Sequence, residues 1–273
     1  MQPDALELMR PATRASLAAD LQALGLTDGD TLLLHSSLRS LGFVVGGEVA
    51  VVQAVLDVVG PRGTLVVPAF TAGNSDPSRW GRTRKQAIPE QWWPAIREHL
   101  PAFDPAVTPS EGVGRIAAAV RTWPGAVRSG HPQTSFAAVG PDAARLTGDH
   151  RRDCHLGPAS PLGRLAEGRA RILLLGVPYA VCTAFHLAEY QRPDPPTRDY
   201  ECVVTEDGRR DWYRYRDVRL DDSDFQQLGE AFEAAPASDG AVRRGLVGAA
   251  ESRLLSLADA VAFAGQWLVT HRC

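Results

Sequence analysis

Lysine is almost absent from this sequence. Of 29 basic residues only Lys85 is a lysine, and the rest are arginine. Beside the abundant alanine, this reads as the mark of a GC-rich genome rather than of a function. An excess of either charge is also missing. The 29 basic and 32 acidic residues leave a net charge of −3. That gives no basic footprint for nucleic acid and no polyanion-binding surface. No apolar run approaches the roughly 18 residues that span a bilayer. The longest, Val49 to Val59, carries Gln53 and Asp57 and reads as a helix. Met1-Gln2-Pro3-Asp4 is not a basic stretch leading into an apolar one, so no signal peptide is expected and the expected compartment is the cytoplasm. Cysteine is sparse: Cys154, Cys182, Cys202 and Cys273 contain no C-x-x-C pair. That argues against a disulfide framework and a cysteine-based zinc site. His150 and His155 flank Cys154 with no further ligand nearby, and no metal is expected.

What remains is an ordinary globular composition, 44 % hydrophobic and 22 % charged over 273 residues. That is enough chain for a proper core. Thr13 to Leu24 has helical spacing of Leu17, Leu21 and Leu24, with Gly25 suited to the left-handed position beyond it. The run Thr31 to His35 reads as a buried strand, about Glu48 to Val59 as a helix, and Thr64 to Val67 as a second strand. This alternation predicts an α/β fold with a mostly parallel central sheet flanked by helices. Helices are expected over Pro89 to Leu100, Gly112 to Arg121, Pro141 to Leu146, from Ser160-Pro161, over Thr183 to Gln191, and from Ser256. Ser135 to Gly140 and Arg171 to Val177 read as strands, the latter the strongest in the chain. Asp207-Gly208 between Tyr200 to Thr205 and Arg210 to Arg216 signals an additional β-hairpin. No linker or repeat divides the sequence, so residues 1–273 are expected to form a single domain.

The segment after the strongest strand is the most informative. Ligands of open α/β sheets bind at the carboxyl ends of the strands. There His186 and Glu189 stand at i and i+3, one face of a helix, with Cys182 four residues earlier. A carboxylate beside an imidazole fixes its tautomer and suits it to act as a base. By spacing alone such a pair is more often a surface helix contact than a catalytic dyad, and Cys182 more often a small core residue than a nucleophile. His35 to Arg39 leaves the first strand for a loop ending in Gly46-Gly47. Backbone N–H groups there could meet an anion, although the pattern is neither G-x-G-x-x-G nor a Walker motif. Between Asp194 and Glu233 twelve acids face six arginines, a net of −6 that leaves +3 for the remainder. This is either a solvated loop and a helix N-terminus, with Asp221-Asp222-Ser223-Asp224 its densest point, or a wall that attracts a cation.

Taken in order, the motifs resemble the aminoglycoside 3-N-acetyltransferase family. They are His35-Ser36-Ser37-Leu38-Arg39-Ser40-Leu41-Gly42, Val45-Gly46-Gly47, Phe103-Asp104-Pro105, and Arg128-Ser129-x-His131-Pro132 with Ser135-Phe136-Ala137-Ala138. Ser160-Pro161-Leu162, Leu173 to Val177, Thr183 to Glu189, and Gly245-x-Val247-Gly248 follow. The resemblance covers about residues 13 to 270. It implies the antibiotic N-acetyltransferase fold, which is not the GNAT fold, and acetyl transfer from acetyl-CoA to the 3-amino group of 2-deoxystreptamine. Resistance to drugs such as gentamicin or kanamycin would follow. His186 and Glu189 fall on the family's catalytic positions. Ser36, Ser37, Leu38, Val45, Gly46 and Gly47, with Ser110, Gly114, Ser135 and Phe136, would be similar to its CoA-binding surface. Asp76, Asp221, Asp222 and Asp224 would meet the drug's ammonium groups.

The chemistry agrees with this assignment. A protonated amine is not a nucleophile, so a base must take a proton as nitrogen attacks the thioester. His186 is the expected base, oriented by Glu189, with oxyanion donors near Ser36 to Leu38. Direct transfer in a ternary complex needs no metal. A ping-pong route through acetyl-Cys182 competes with it. A related acetyltransferase acting on a different amine in biosynthesis, or a non-catalytic CoA or polyamine binder on the same fold, are the alternative functions. The expected partners are a small-molecule aminoglycoside and, left open, a second copy of the chain in a homodimer, with no nucleic acid or membrane.

Overall fold

The computed structural model describes residues 10–82, 88–235 and 241–272; Lys85 and Cys273 lie outside them. Helix α1 (Arg14–Leu24) starts on a capping box, in which Thr13 and Ser16 each bond the other's backbone N–H, and it ends at Gly25 in the left-handed conformation. Strand β1 (Thr31–Ser36), helix α2 (Gly47–Val59) and strand β2 (Thr64–Pro68) follow as the alternation predicts. The helix expected over Pro89 to Leu100 is split into a 3₁₀ turn over Glu90–Trp92 and helix α3 (Trp93–His99). Pro94 accounts for this: it is tolerated only in a first turn, so the α-helix begins beside it. Helix α4 (Gly114–Arg121), strands β3 (Val127–Arg128) and β4 (Phe136–Val139), and helices α5 (Ala143–Thr147) and α6 (Pro161–Ala166) lead to strand β5 (Arg171–Leu175).

Then come helix α7 (Phe185–Glu189), strands β6 (Thr197–Glu206) and β7 (Arg209–Val218), and helix α8 (Phe225–Ala234). Strands β8 (Val242–Val247) and β9 (Ala250–Ser256) and helix α9 (Leu257–His271) complete the described elements.

The main sheet has the order β3-β4-β2-β1-β5-β9-β8. Five of its seven strands run one way, and β4 and β9 run against them. Direct parallel pairing is confined to the centre, β2-β1-β5. The outer strands pair antiparallel: β4 with β2 and β9 with β5 across long stretches of chain, and β8 with β9 across the two-residue link Gly248 and Ala249. Along β1 and β5 side chains alternate between two cores: Leu32, Leu34, Leu173 and Leu175 face one, and Leu33, Ile172 and Leu174 the other. The sheet is therefore buried on both faces, as parallel strands require. Helices α1, α2 and α4 cover the first face, and α5 to α9 the second.

Strands β6 and β7 form a separate two-stranded hairpin. Its turn residues Asp207 and Gly208 both have positive φ, 47° and 75°, as a type I′ turn demands. The hairpin is anchored where Asn74 and Val203 exchange two hydrogen bonds of 2.9 and 2.8 Å. Its acids are largely engaged: Asp199 by Arg216, Glu201 by Arg214, Glu206 by Arg152 and Asp217 by His155. Among the described residues no helix is long and apolar enough to cross a membrane.

Candidate active site

The parallel strands β1, β2 and β5 end at one edge of the sheet, and a cleft of about 930 Å³ opens there. Strand ends supply His35, Ser36, Pro68 and Val177, and α7 supplies His186. At Gly176 the chain leaves β5 with φ at 65°, and a Cβ there would come within 2.6 Å of Ser40 and 2.9 Å of Ala250. Only glycine allows this turn, which sends the chain toward α7.

His186 is 8 % exposed and Glu189 2 %. The imidazole Nδ1 and the Glu189 Oε2 are 2.7 Å apart. With Nδ1–H donating to the carboxylate, Nε2 carries the free lone pair. The other oxygen of Glu189 accepts from the Asp221 N–H at 3.1 Å and from Arg272. Arg272 also holds the Asp224 carboxylate, at 2.7 Å from Nε to Oδ2, and the Asp221 carbonyl at 2.5 Å. Its guanidinium lies 5.7 Å over the Phe225 ring, and that ring lies 4.6 Å from His186. One cation thus ties α7, the start of α8 and the residue after α9 around the imidazole.

Cys182 is fully buried, and burial pushes its thiol up to about 12. It precedes α7 rather than lying on it, because the helix begins only at Phe185. A thiol held protonated in this way is a poor nucleophile. His35 lies at 3.2 Å from Thr183 Oγ1, and both line the cleft. Burial, with the neighbouring His186, pulls His35 down to about 4.

Several expected ligand contacts fall in the cleft and others do not. Ser36, Ser37, Leu38, Gly114 and Asp222 line it. The N–H of Ser37 is spent on the Leu175 carbonyl at 3.0 Å, which removes it as an oxyanion donor. Val45, Gly46 and Gly47 stand outside the lining, at the start of α2. The Glu48–Arg115 ion pair, 2.9 Å, ties that start to α4. Ser110 also stands outside the lining, and among the described residues its buried hydroxyl has no partner.

Ser135 and Phe136 are corrected to interior positions, since both are 0 % exposed. Ser135 Oγ is occupied by Arg128 and the Ala69 carbonyl, and Phe136 packs edge-on against Phe70. Asp76 pairs with Arg97 at 2.6 Å and lines a different hollow. Asp224 is held by Arg272 through both oxygens and lies outside the cleft lining. Asp221 lines a hollow adjoining the cleft.

His35, Thr183, Phe225 and Arg272 had no role in the sequence reading. His35 was within reach, standing in the same motif as Ser36. Arg272 carried no signal, because nothing in local spacing links it to Glu189.

Four buried histidines make stability acid-sensitive. Burial lowers His35 and His150 to about 4, holds His131 well below its ordinary value, and outweighs Asp217 at His155. The unfolded chain binds protons at these groups below about 6.5, where the folded chain does not. Stability is thus unaffected above that pH and falls as pH drops toward about 4. At pH 5 His35 and His150 cost about 2 kcal/mol each. The expected result is a Tm lower by roughly 10 °C at pH 5 than at pH 7. An unchanged Tm would show that these imidazoles charge freely in the folded protein.

The family model for aminoglycoside 3-N-acetyltransferase matches residues 33–269. Aminoglycoside N(3)-acetyltransferase VII of Streptomyces paromomycinus is 42 % identical over 270 residues, covering 94 % of this chain and 92 % of that one. The crystal structure of the YokD protein from Bacillus subtilis superposes with a TM-score of 0.92 at 40 % identity, covering 97 % of this chain and 96 % of that one. The AAC-IIIb binary complex with CoASH superposes with a TM-score of 0.81 at 32 % identity, over 96 % and 97 % of the two chains. With that coverage and identity, on top of a histidine–glutamate pair at the carboxyl edge of the sheet, the chain belongs to the aminoglycoside 3-N-acetyltransferase family.

Proposed function

We propose that the protein transfers an acetyl group from acetyl-CoA to the 3-amino group of the 2-deoxystreptamine ring of aminoglycosides, with resistance as the outcome. The observation that carries this reading is the His186–Glu189 pair, 2.7 Å apart, in the wall of the cleft. Similarity to an aminoglycoside N(3)-acetyltransferase and to a CoASH complex supports the two substrates.

The cleft residues fit a CoA thioester. Gly112 and Gly114 line it with φ of 72° and 82°, and a Cβ at Gly112 would meet nothing within 4 Å. Backbone can therefore approach a ligand closely there.

In the reaction the amine binds as its free base. Its nitrogen attacks the acetyl carbonyl carbon and gives its proton to His186 Nε2. Glu189, which also meets Arg272, stabilises the imidazolium that forms. The Leu38 N–H and the hydroxyls of Ser36 and Thr183 meet the developing oxyanion. The C–S bond then breaks and His186 returns the proton to the thiolate. Cys182, buried and protonated, takes no acetyl group. Asp222 and Asp221 supply acid toward the drug's ammonium groups.

The test is thiol release from acetyl-CoA with pairs of aminoglycosides that differ only in whether the 3-amine is free. Turnover restricted to the free amine is expected. Equal turnover of both members would remove the 3-amine as the acceptor.

A further inference from the structure

Next to the catalytic cleft lies a hollow of about 610 Å³ that shares Phe70 and Asp222 with it. Its wall reverses the charge expected of a polycation site. Three arginines line it, Arg79, Arg198 and Arg219, against two acids, Asp221 and Asp222. All three arginines are exposed. Among the described residues none of them has a carboxylate within ion-pair distance, whereas the neighbouring acids Asp199, Glu201 and Asp217 are drawn away by Arg216, Arg214 and His155.

Two of the arginines are held in place by contacts other than a carboxylate. Arg79 donates to the Asp199 carbonyl at 2.9 Å, and Arg198 lies 4.3 Å over the ring of Tyr200, which lines the same hollow. The guanidinium is the preferred cation for phosphate, because its fork of donors matches the phosphate oxygens. Phe70 and Asp222 join this hollow to the cleft that holds His186, so one ligand could reach both. An aminoglycoside brings further cations to that wall; an amine that also carries a phosphate brings the complementary charge.

We propose a further activity: the enzyme N-acetylates primary amines that also bear a phosphate monoester, the phosphate being bound by Arg79, Arg198 and Arg219. The proposal rests on the reading that the cleft acetylates an amine through His186, and it adds an acceptor class. In the step the N–C bond forms as the thioester C–S bond breaks. The amine proton passes by His186 to the CoA sulfur, and the phosphate is unchanged.

The experiment compares glucosamine 6-phosphate with glucosamine as acceptors, using the full chain and its Arg198→Ala/Arg219→Ala variant. Both side chains are exposed, so the variant should fold. Calorimetry measures binding of the phosphate sugar, and thiol release measures turnover. The expected result is kcat/KM at least about 10-fold higher for the phosphate ester. Saturable binding, the preference over glucosamine, or both should be lost in the variant, with the KM for acetyl-CoA unchanged. Equal kcat/KM for the two sugars, or binding untouched by the variant, overturns the proposal. A raised KM for acetyl-CoA also overturns it, by assigning the arginines to the phosphates of CoA. Aminoglycoside turnover reports separately on the earlier reading. If it is absent while arginine-dependent phosphate binding persists, only that reading fails; if it is present with no phosphate preference, only this proposal fails.

Discussion

Replacing His186 with alanine should lower turnover by about 10²–10⁴-fold while the protein stays folded, the range a positioned general base contributes. The expectation comes from the placement of the ring. Nδ1 is committed to Glu189, so Nε2 is the nitrogen left to accept a proton. The imidazole is 8 % exposed; its removal leaves a small gap beside Phe225 and takes the donor from Glu189 Oε2, while Arg272 still pairs that carboxylate through Oε1. His186→Gln, which keeps more of the volume, should lose the same activity with less loss of stability. Circular dichroism and the Tm of both variants check the fold, and thiol release checks the rate. Activity within a few-fold of the parent in either would take His186 out of the mechanism.

The second large effect is expected at Arg272. Arg272→Gln should lower kcat by about 10- to 100-fold with both KM values nearly unchanged, because a small misplacement of a catalytic group is that costly. Arg272 does not line the cleft, so it acts as a positioning residue for Glu189. Its side chain is 14 % exposed, against 3 % for Glu189 and 23 % for Asp224. Removing the cation leaves two carboxylates facing each other without it. The cost is about 3 kcal/mol, the lower end for a buried pair that loses one partner. Lysine should rescue little, since an ammonium cannot serve Glu189, Asp224 and the Asp221 carbonyl with a planar fork. A lowered Tm with kcat intact would make the residue a structural clamp only.

Much of the fold was legible because local rules and tertiary packing agree. The Thr13 cap, the Gly25 stop, the β1-α2-β2 alternation and the Asp207-Gly208 turn each follow from a few neighbouring residues. Strands β8 and β9 were not read. Val242–Val247 carries Arg243, Arg244 and Gly245, and Ala250–Ser256 carries Glu251 and Arg253, so neither shows a clean apolar alternation. Their pairing to β5 is a long-range choice. Of helix α8 only the start was read, as one reading of the acidic run Asp221 to Asp224 that precedes it; its extent was not.

The site divided in the same way. His186 and Glu189 are i and i+3 on one short helix, and sequence spacing alone brings them together. The acids were harder, because sequence shows a charge but not its partner. The net −6 between Asp194 and Glu233 suggested a wall for cations. In the structure Asp199, Glu201, Glu206, Asp217, Asp224 and Glu233 each meet a cation or a histidine. Asp221 and Asp222 remain at the cleft and its neighbouring hollow. Ser135 and Phe136 stand in a matching motif, yet they serve the interior of the sheet.

The most direct measurement is the position of the acetyl group in the product formed from kanamycin and acetyl-CoA, read by two-dimensional NMR. The account predicts a single amide, on the 3-nitrogen of the 2-deoxystreptamine ring, formed by the parent protein and not by His186→Ala. An acetyl group on another amine, or the same product from both proteins, would contradict it.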